Sequence, residues 1–319
     1  MNAQLRPWHK RVLQANVVAQ AGIVVTGAVV RLTSSGLGCP TWPECVDGSI
    51  APTSTQTQSW HKYVEFGNRM LTTVLVIVAL ASIVTIRQYN KNRLQAGLPK
   101  RPVLTKLALA NFGGIFAQAI LGGITVLTGL NPLTVAAHFL VSIGLITVAV
   151  ALLWRAKEST DTRTIEISPI VYRGIQTLTA LALSVITLGT LVTGTGPHAG
   201  DSTEITRLPF DPQLISWIHA DVVLLFMGLL VGLLVALYAT DAPALVKRSA
   251  KVSLAVALSQ GLIGYVQYFT ALPWVLVAFH VAGACLLWIA TVRFMLSTKA
   301  QPQWFQRTRP LRAQPNRLP

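Results

Sequence analysis

Charged side chains are scarce. Only 12% of the 319 residues are Asp, Glu, Lys or Arg, about half the ~25% of an ordinary soluble domain. There are three cysteines, with no Cys-x-x-Cys spacing and no second pair near the first, which excludes a zinc ribbon or finger. The chain carries no phosphate-binding Walker loop, no dinucleotide glycine fingerprint and no hydrolase nucleophile elbow. Period-2 alternation is missing from the apolar segments, which excludes a membrane β-barrel.

Apolar residues fill the space left by charge. They make up 52% of the chain, and mean hydropathy is +0.54. Runs of about 20 apolar residues match helices that cross a bilayer. Eight are expected, at residues 12–32, 64–86, 104–127, 132–154, 171–194, 214–238, 249–270 and 273–296. The first follows a basic N-terminus but is too long for a signal-peptide core and ends at Arg31 without a small-residue cleavage site, so it is read as helix 1. No amphipathic transit peptide precedes it, and a bacterial plasma membrane is the expected location.

The formal net charge of +15 is unevenly placed. Lys and Arg gather at the N-terminus, in the second, fourth and sixth connections, and in the tail, which carries Arg307, Arg309, Arg312 and Arg317. Of the 26, only Arg31, Lys62, Arg69 and Arg207 fall on the opposite side of an eight-helix arrangement. This is the positive-inside pattern, and it places both termini in the cytoplasm. The basic tail is then a solvated, lipid-facing segment, and no nucleic-acid partner is expected.

One pattern occurs twice. Gln118-Ala-Ile-Leu-Gly122 leads through Thr128 and Pro132 to His138; Gln260-Gly-Leu-Ile-Gly264 leads through Thr270 and Pro273 to His280, at the same Gln-to-His separation. Helix 1 ends in Val25-Thr26-Gly27 and helix 5 in Val192-Thr193-Gly194. The fold class expected is therefore an all-α integral membrane protein. Its eight transmembrane helices form two pseudo-two-fold-related four-helix bundles, arising by parallel duplication. The expected units are 1–155, a cytoplasmic connector at 156–170, 171–296, and a basic cytoplasmic tail at 297–319.

Ionisable rings inside apolar helices are costly and mark function. His138, His219 and His280 lie six or seven residues beyond Pro132, Pro212 and Pro273, about 9–10 Å below the outer helix starts. His219 and His280 can face each other across the second bundle, an arrangement that holds haem through two axial imidazoles. In the first half, His61, Glu65 and Asn68 share one face of helix 2. Asn68 stands at the depth of His219, and His61 lies about 10 Å nearer the outer surface. Glu65 reads either as a site acid or as an interfacial carboxylate paired with Lys62 or Arg69. Gln118 and Gln260 are candidates to fix imidazole tautomers, or packing residues.

Outside the membrane, the first loop reads Gly36-Leu-Gly-Cys39-Pro-Thr-Trp42-Pro-Glu-Cys45. In an oxidising compartment Cys39 and Cys45 can form a disulfide, as a plain staple or as a reducible pair. Cys285 falls within helix 8 as a small packing residue. Thr193-Gly-Thr-Gly-Pro-His198-Ala-Gly-Asp201 opens the third outer loop. There His198 corresponds to Arg31, and either suits an anionic group such as a propionate, or His198 is simply solvated.

Taken together, these motifs resemble the haem A synthase family of eight-helix membrane proteins, over nearly the whole membrane region. The residues that carry the resemblance are the Cys39–Cys45 loop, Glu65-Phe-Gly-Asn-Arg69, the Thr193–Asp201 segment and the histidines at 138, 219 and 280. The resemblance implies a membrane oxidoreductase that converts the C8 methyl of haem O to a formyl group, with water as oxygen source, giving haem A for cytochrome oxidase. It implies a haem b cofactor on His219 and His280, with substrate haem O on His138. Glu65 would stabilise positive charge developing on the methyl carbon, Arg69 and His198 would contribute to cofactor binding, and Cys39 and Cys45 would form the outer disulfide. It also implies haem O synthase and cytochrome oxidase assembly factors as partners. The family commonly reads Glu-x-x-His-Arg where this chain has Asn68, so His138 alone is expected to ligate substrate haem, with His61 or water opposite. The same histidines would also serve a two-haem cytochrome b-like electron-transfer protein, and a duplicated fold is found in transporters.

Overall fold

The computed structural model describes residues 5–201 and 206–300. The tail expected at 297–319 lies outside the described residues from 301 onward. Eight helices run in order: α1 (Pro7–Leu32), α2 (His61–Gln95), α3 (Pro102–Leu127), α4 (Pro132–Ala156), α5 (Pro169–Thr195), α6 (Pro212–Ala239), α7 (Ala244–Phe269) and α8 (Trp274–Ser297). All eight are long and apolar enough to cross a membrane, and the chain is a multi-pass membrane protein. Large apolar side chains face outward along them, among them Ile77, Leu224 and Phe269. In water such a surface would aggregate; in hydrocarbon it is the lipid-facing side.

Local chemistry sets the helix starts. Proline occupies the first turn of α1, α3, α4, α5 and α6, where its missing N–H costs nothing. Asn131 and Asp211 cap α4 and α6 by accepting the N–H groups of Leu133 and Leu214, relieving donors left unpaired at a helix start. The α3–α4 and α7–α8 turns are tight, with Gly129 and Leu130, and Ala271 and Leu272, in the left-handed region.

Helix α2 is much longer than its apolar run. It extends 35 residues, about 52 Å, and continues beyond residue 86 through Arg87 to Gln95. Lys, Arg, Gln and Leu are good helix formers, so hydropathy ends where the helix does not.

Helices α1 to α4 touch in a closed ring, as do α5 to α8, and α1 and α4 meet α8 while α4 meets α5. Ile143, Ile146, Phe226, Leu230 and Trp288 share one apolar core. The Trp288 indole N–H reaches the Ile143 carbonyl at 3.1 Å and Thr147 Oγ1 at 2.7 Å, tying α8 to α4.

The connector between α4 and α5 is an ion-pair network, not only a charged link. Arg101 is 1% exposed and pairs with Asp161 at 2.8 Å. Arg155 and Arg163 pair with Glu158 at 2.9 and 3.1 Å. A two-residue antiparallel ladder, β1 (Thr164–Ile165) with β2 (Lys299–Ala300), adds a β element that the all-helical expectation lacked.

Candidate functional site: three cradled imidazoles and a carboxylate under the disulfide loop

Three of the four helical hairpins set a glycine on the first helix against a histidine on the second. A Cβ at Gly122 of α3 would sit 3.2 Å from Cε1 of His138 on α4. At Gly264 of α7 it would sit 3.4 Å from Cε1 of His280 on α8, and at Gly189 of α5 3.5 Å from Cε1 of His219 on α6. At Gly122 the missing side chain lets the His138 ring lie closer to the α3 backbone than a Cβ would allow, while at Gly264 and Gly189 a Cβ would just touch the ring. His219 and His280 also lie close enough to interact electrostatically.

The α1–α2 hairpin breaks the pattern. Gly22 precedes Thr26 by the interval that separates Gly189 from Thr193, yet nothing lies within 4 Å of a Cβ built there. Asn68 does not reach it. Its Oδ1 accepts the Thr26 hydroxyl at 2.7 Å, which fastens α2 to α1.

Above this hairpin lies the first loop, closed by a Cys39–Cys45 disulfide. Glu65 is 5% exposed. Its Oε2 accepts the Cys39 N–H at 2.6 Å, and its Oε1 accepts Arg69 Nη2 and Nε at 2.6 and 3.1 Å. Arg69 spends its other donors on loop carbonyls: Cys39 at 2.7 Å, and Thr41 and Glu44 at 3.0 Å. The planar guanidinium can meet a carboxylate and three carbonyls at once, which an ammonium cannot. Of the two pairings open to Glu65, the one with Arg69 is present. Lys62 instead turns to the carbonyls of Thr53 and Gln56.

Trp42 completes the loop's seat. A Cβ at Gly123 would overlap its indole, so the ring rests on α3 one residue beyond the glycine that cradles His138. The sequence shows Trp42 only as a letter in the cysteine motif. Its role depends on Gly123, a contact no local pattern reveals.

Other expected site residues are engaged elsewhere. His61 Nδ1 bonds Ser35 Oγ at 2.9 Å, and its ring stacks on Trp60, so it is anchored to the outer loop. His198 Nε2 is 2.9 Å from the Leu272 carbonyl, binding the third outer loop to the α7–α8 turn; it is not a merely solvated side chain. Arg31 Nη2 donates to the Thr193 carbonyl at 2.8 Å, joining α1 to α5. Gln118 holds backbone and not a ring: its Nε2 donates to the His138 carbonyl at 2.9 Å and to Ser142 Oγ. Gln260 packs against Gly283 of α8. Neither glutamine fixes an imidazole tautomer.

The donor set fits haem better than a bare metal ion. Among the described residues no group of three or more His, Cys, Asp or Glu could hold a metal ion. Haem brings its own four nitrogens and asks only axial ligands of the protein. The ring nitrogens His138 Nδ1 and His280 Nδ1 are buried without a protein partner, so neither ring is committed to a structural hydrogen bond there.

Comparison with known proteins decides the relationship. Residues 10–292 match the COX15-CtaA family model, described as cytochrome oxidase assembly protein. The chain belongs to this family. Among its relatives is a protein named heme A synthase from Geobacillus thermodenitrificans, 30% identical over 117 residues, covering 36% of this chain and 32% of the relative. Another of that name, from Geobacillus kaustophilus, is 32% identical over the same length. These matches span about a third of the Geobacillus proteins. A third of that name, from Bacillus cereus, is 22% identical over 296 residues, 88% of this chain and 90% of the relative.

Proposed function

We propose that this COX15-CtaA protein is a haem A synthase of the bacterial plasma membrane, with both termini cytoplasmic. It oxidises the C8 methyl of haem O to a formyl group. The observation that carries this reading is the asymmetry between the hairpins. Two glycine-cradled histidines lie together in the second half. The first half has one such histidine, a buried carboxylate under the disulfide loop, and no ring opposite Gly22. The two rings of helices are read as pseudo-two-fold-related bundles, residues 1–155 and 171–296. A symmetric pair of bis-imidazole sites would suit electron transfer alone; an incompletely ligated one suits a substrate that must enter and leave.

His219 and His280 would hold haem b. That group, when bound, supplies one-electron transfer. His138 would hold substrate haem O on one face, leaving the other face to water or a weaker ligand. The overall change converts a methyl group and one water into a formyl group, releasing four protons and four electrons. The electrons pass to an acceptor in or outside the membrane. Glu65, fixed by Arg69 and the Cys39 amide, would stabilise positive charge as the methyl carbon becomes electron-poor. Haem O synthase would deliver the substrate, and cytochrome oxidase assembly factors would receive the product.

The test is haem extraction from membranes of a host that makes haem O but not haem A. Expression of this chain is expected to yield haem A by mass. Haem O unchanged beside stoichiometric bound haem b would support a cytochrome b-like electron-transfer protein instead.

A further inference from the structure

At the cytoplasmic end of α2 and α3 lies a cavity of about 610 Å³, lined by Arg87, Lys91, Lys100 and Lys106 with Leu94 and Pro102. Arg87, Lys91 and Leu94 follow one face of α2 at helical spacing. Lys100 comes from the connecting loop and Lys106 from the second turn of α3. Asn90 and Thr105, also on the wall, bond each other at 3.2 Å, and Asn90 Oδ1 accepts the Arg101 N–H at 2.9 Å. These bonds fix the floor of the wall, and the four cations stand exposed around it.

Among the described residues, none of the ion pairs involves these four cations. Between Glu65 and Glu158 the sequence contains no Asp or Glu. Glu158 and Asp161 are taken by Arg101, Arg155 and Arg163. The corresponding mouth between α6 and α7 differs, because Asp241 lies there 3.6 Å from Lys247. The cavity also sits at the start of α3, where no side chain caps the helix and the positive end of the helix dipole favours an anion. Just deeper in the bilayer, the outer sides of α2 and α3 are apolar and exposed at Leu80, Val84 and Leu109, which is suitable ground for acyl chains.

We propose that this cavity binds the phosphodiester headgroup of an anionic membrane phospholipid from the cytoplasmic leaflet. The phosphate would sit among Arg87, Lys91, Lys100 and Lys106, and the acyl chains would lie against α2 and α3. Cationic pockets between helices at this membrane face suit such headgroups, and each nearby cation adds to the attraction.

The test is native mass spectrometry of the purified full-length holoprotein in detergent, titrated with phosphatidylglycerol or phosphatidylcholine. One phosphatidylglycerol should be retained in preference to phosphatidylcholine. Lys91→Ala with Lys100→Ala should weaken its binding about ten-fold or more. Arg173→Ala with Arg248→Ala, which removes two exposed cations elsewhere on the same side, should leave it unchanged. All four positions are exposed, and helix content by circular dichroism confirms that each variant is folded. Equal retention of the two lipids, or equal weakening by both double variants, would overturn the proposal. Full displacement of phosphatidylglycerol by millimolar inorganic phosphate would also overturn it, marking a free-phosphate site.

Discussion

Glu65 Oε2 accepts the backbone N–H of Cys39 at 2.6 Å. A carboxylate on α2 and a disulfide-closed loop outside the membrane therefore move as one piece, with Arg69 bonded to both. Replacing Glu65 with Gln should weaken both attachments, since hydrogen bonds to a charged group contribute about 1.5–3 kcal/mol. On the proposed function, haem A yield should fall to near background while the haem b proposed for the other half stays bound. A normal yield would remove Glu65 from the chemistry.

Arg69→Lys tests the loop's anchor separately. The guanidinium makes five hydrogen bonds to Glu65, Cys39, Thr41 and Glu44, and three ammonium donors cannot replace them. Hydrogen exchange of the loop amides at 39–48 should speed by about ten-fold or more, the equivalent of one lost bond of about 1.5 kcal/mol. Unchanged protection would show that the disulfide alone holds the loop.

The glycine cradles predict a graded series. Gly122→Ala places a Cβ 3.2 Å from the His138 ring, Gly264→Ala 3.4 Å from His280 and Gly189→Ala 3.5 Å from His219. Gly122→Ala should cost the most, and it should lower substrate-haem content while leaving haem b intact. Gly264→Ala and Gly189→Ala add a Cβ in ordinary van der Waals contact and should leave the haem b spectrum close to that of the wild type. Gly22→Ala meets nothing within 4 Å and should have no effect on either haem.

Asn68→His places an imidazole on α2 toward the empty side of the α1–α2 hairpin, at the cost of the bond from Thr26. Substrate haem in this variant should shift toward a low-spin, six-coordinate spectrum. His61 is held by Ser35 and Trp60, so His61→Ala should leave the wild-type substrate-haem spectrum unchanged. Sensitivity to His61→Ala would make His61 the second ligand.

In the connector, burial pushes the Glu158 carboxyl above its ordinary value of 4.5, against the opposing pull of Arg163, Arg155 and Arg101. A raised folded-state value means the folded protein binds the proton more tightly. Its stabilising contribution is complete below the ordinary value and is lost as pH rises through the folded one. The melting temperature of the wild type should therefore gain relative to Glu158→Gln as pH falls from 7 toward 4. An offset that does not change with pH would contradict this.

The eight helices were legible because a bilayer demands long apolar runs, and the sequence obeys that demand. Where the demand lapses, so does legibility. The Arg87–Gln95 extension of α2 is helical without being apolar, and the β1–β2 ladder joins residues far apart in sequence through backbone alone. The histidines at 138, 219 and 280 stood out as ionisable groups in apolar surroundings. Gly122, Gly189 and Gly264 did not, because a helical glycine shows its purpose only when a ring from another helix lies on it. Gln118 shared a repeat with His138 and lies near it, but it bonds the backbone. Spacing brought the two together without fixing which atoms meet.

The central claim is a division of labour: the second half holds haem b and the first half works on haem O. It is tested most directly by purifying wild type, His138→Ala and His280→Ala from a host that makes haem O, then identifying the bound haems by mass and spectrum. The account predicts that His138→Ala keeps low-spin haem b but yields neither bound haem O nor haem A, while His280→Ala loses the haem b signal. Equal loss of haem b in both variants, or haem A formed without His138, would contradict it.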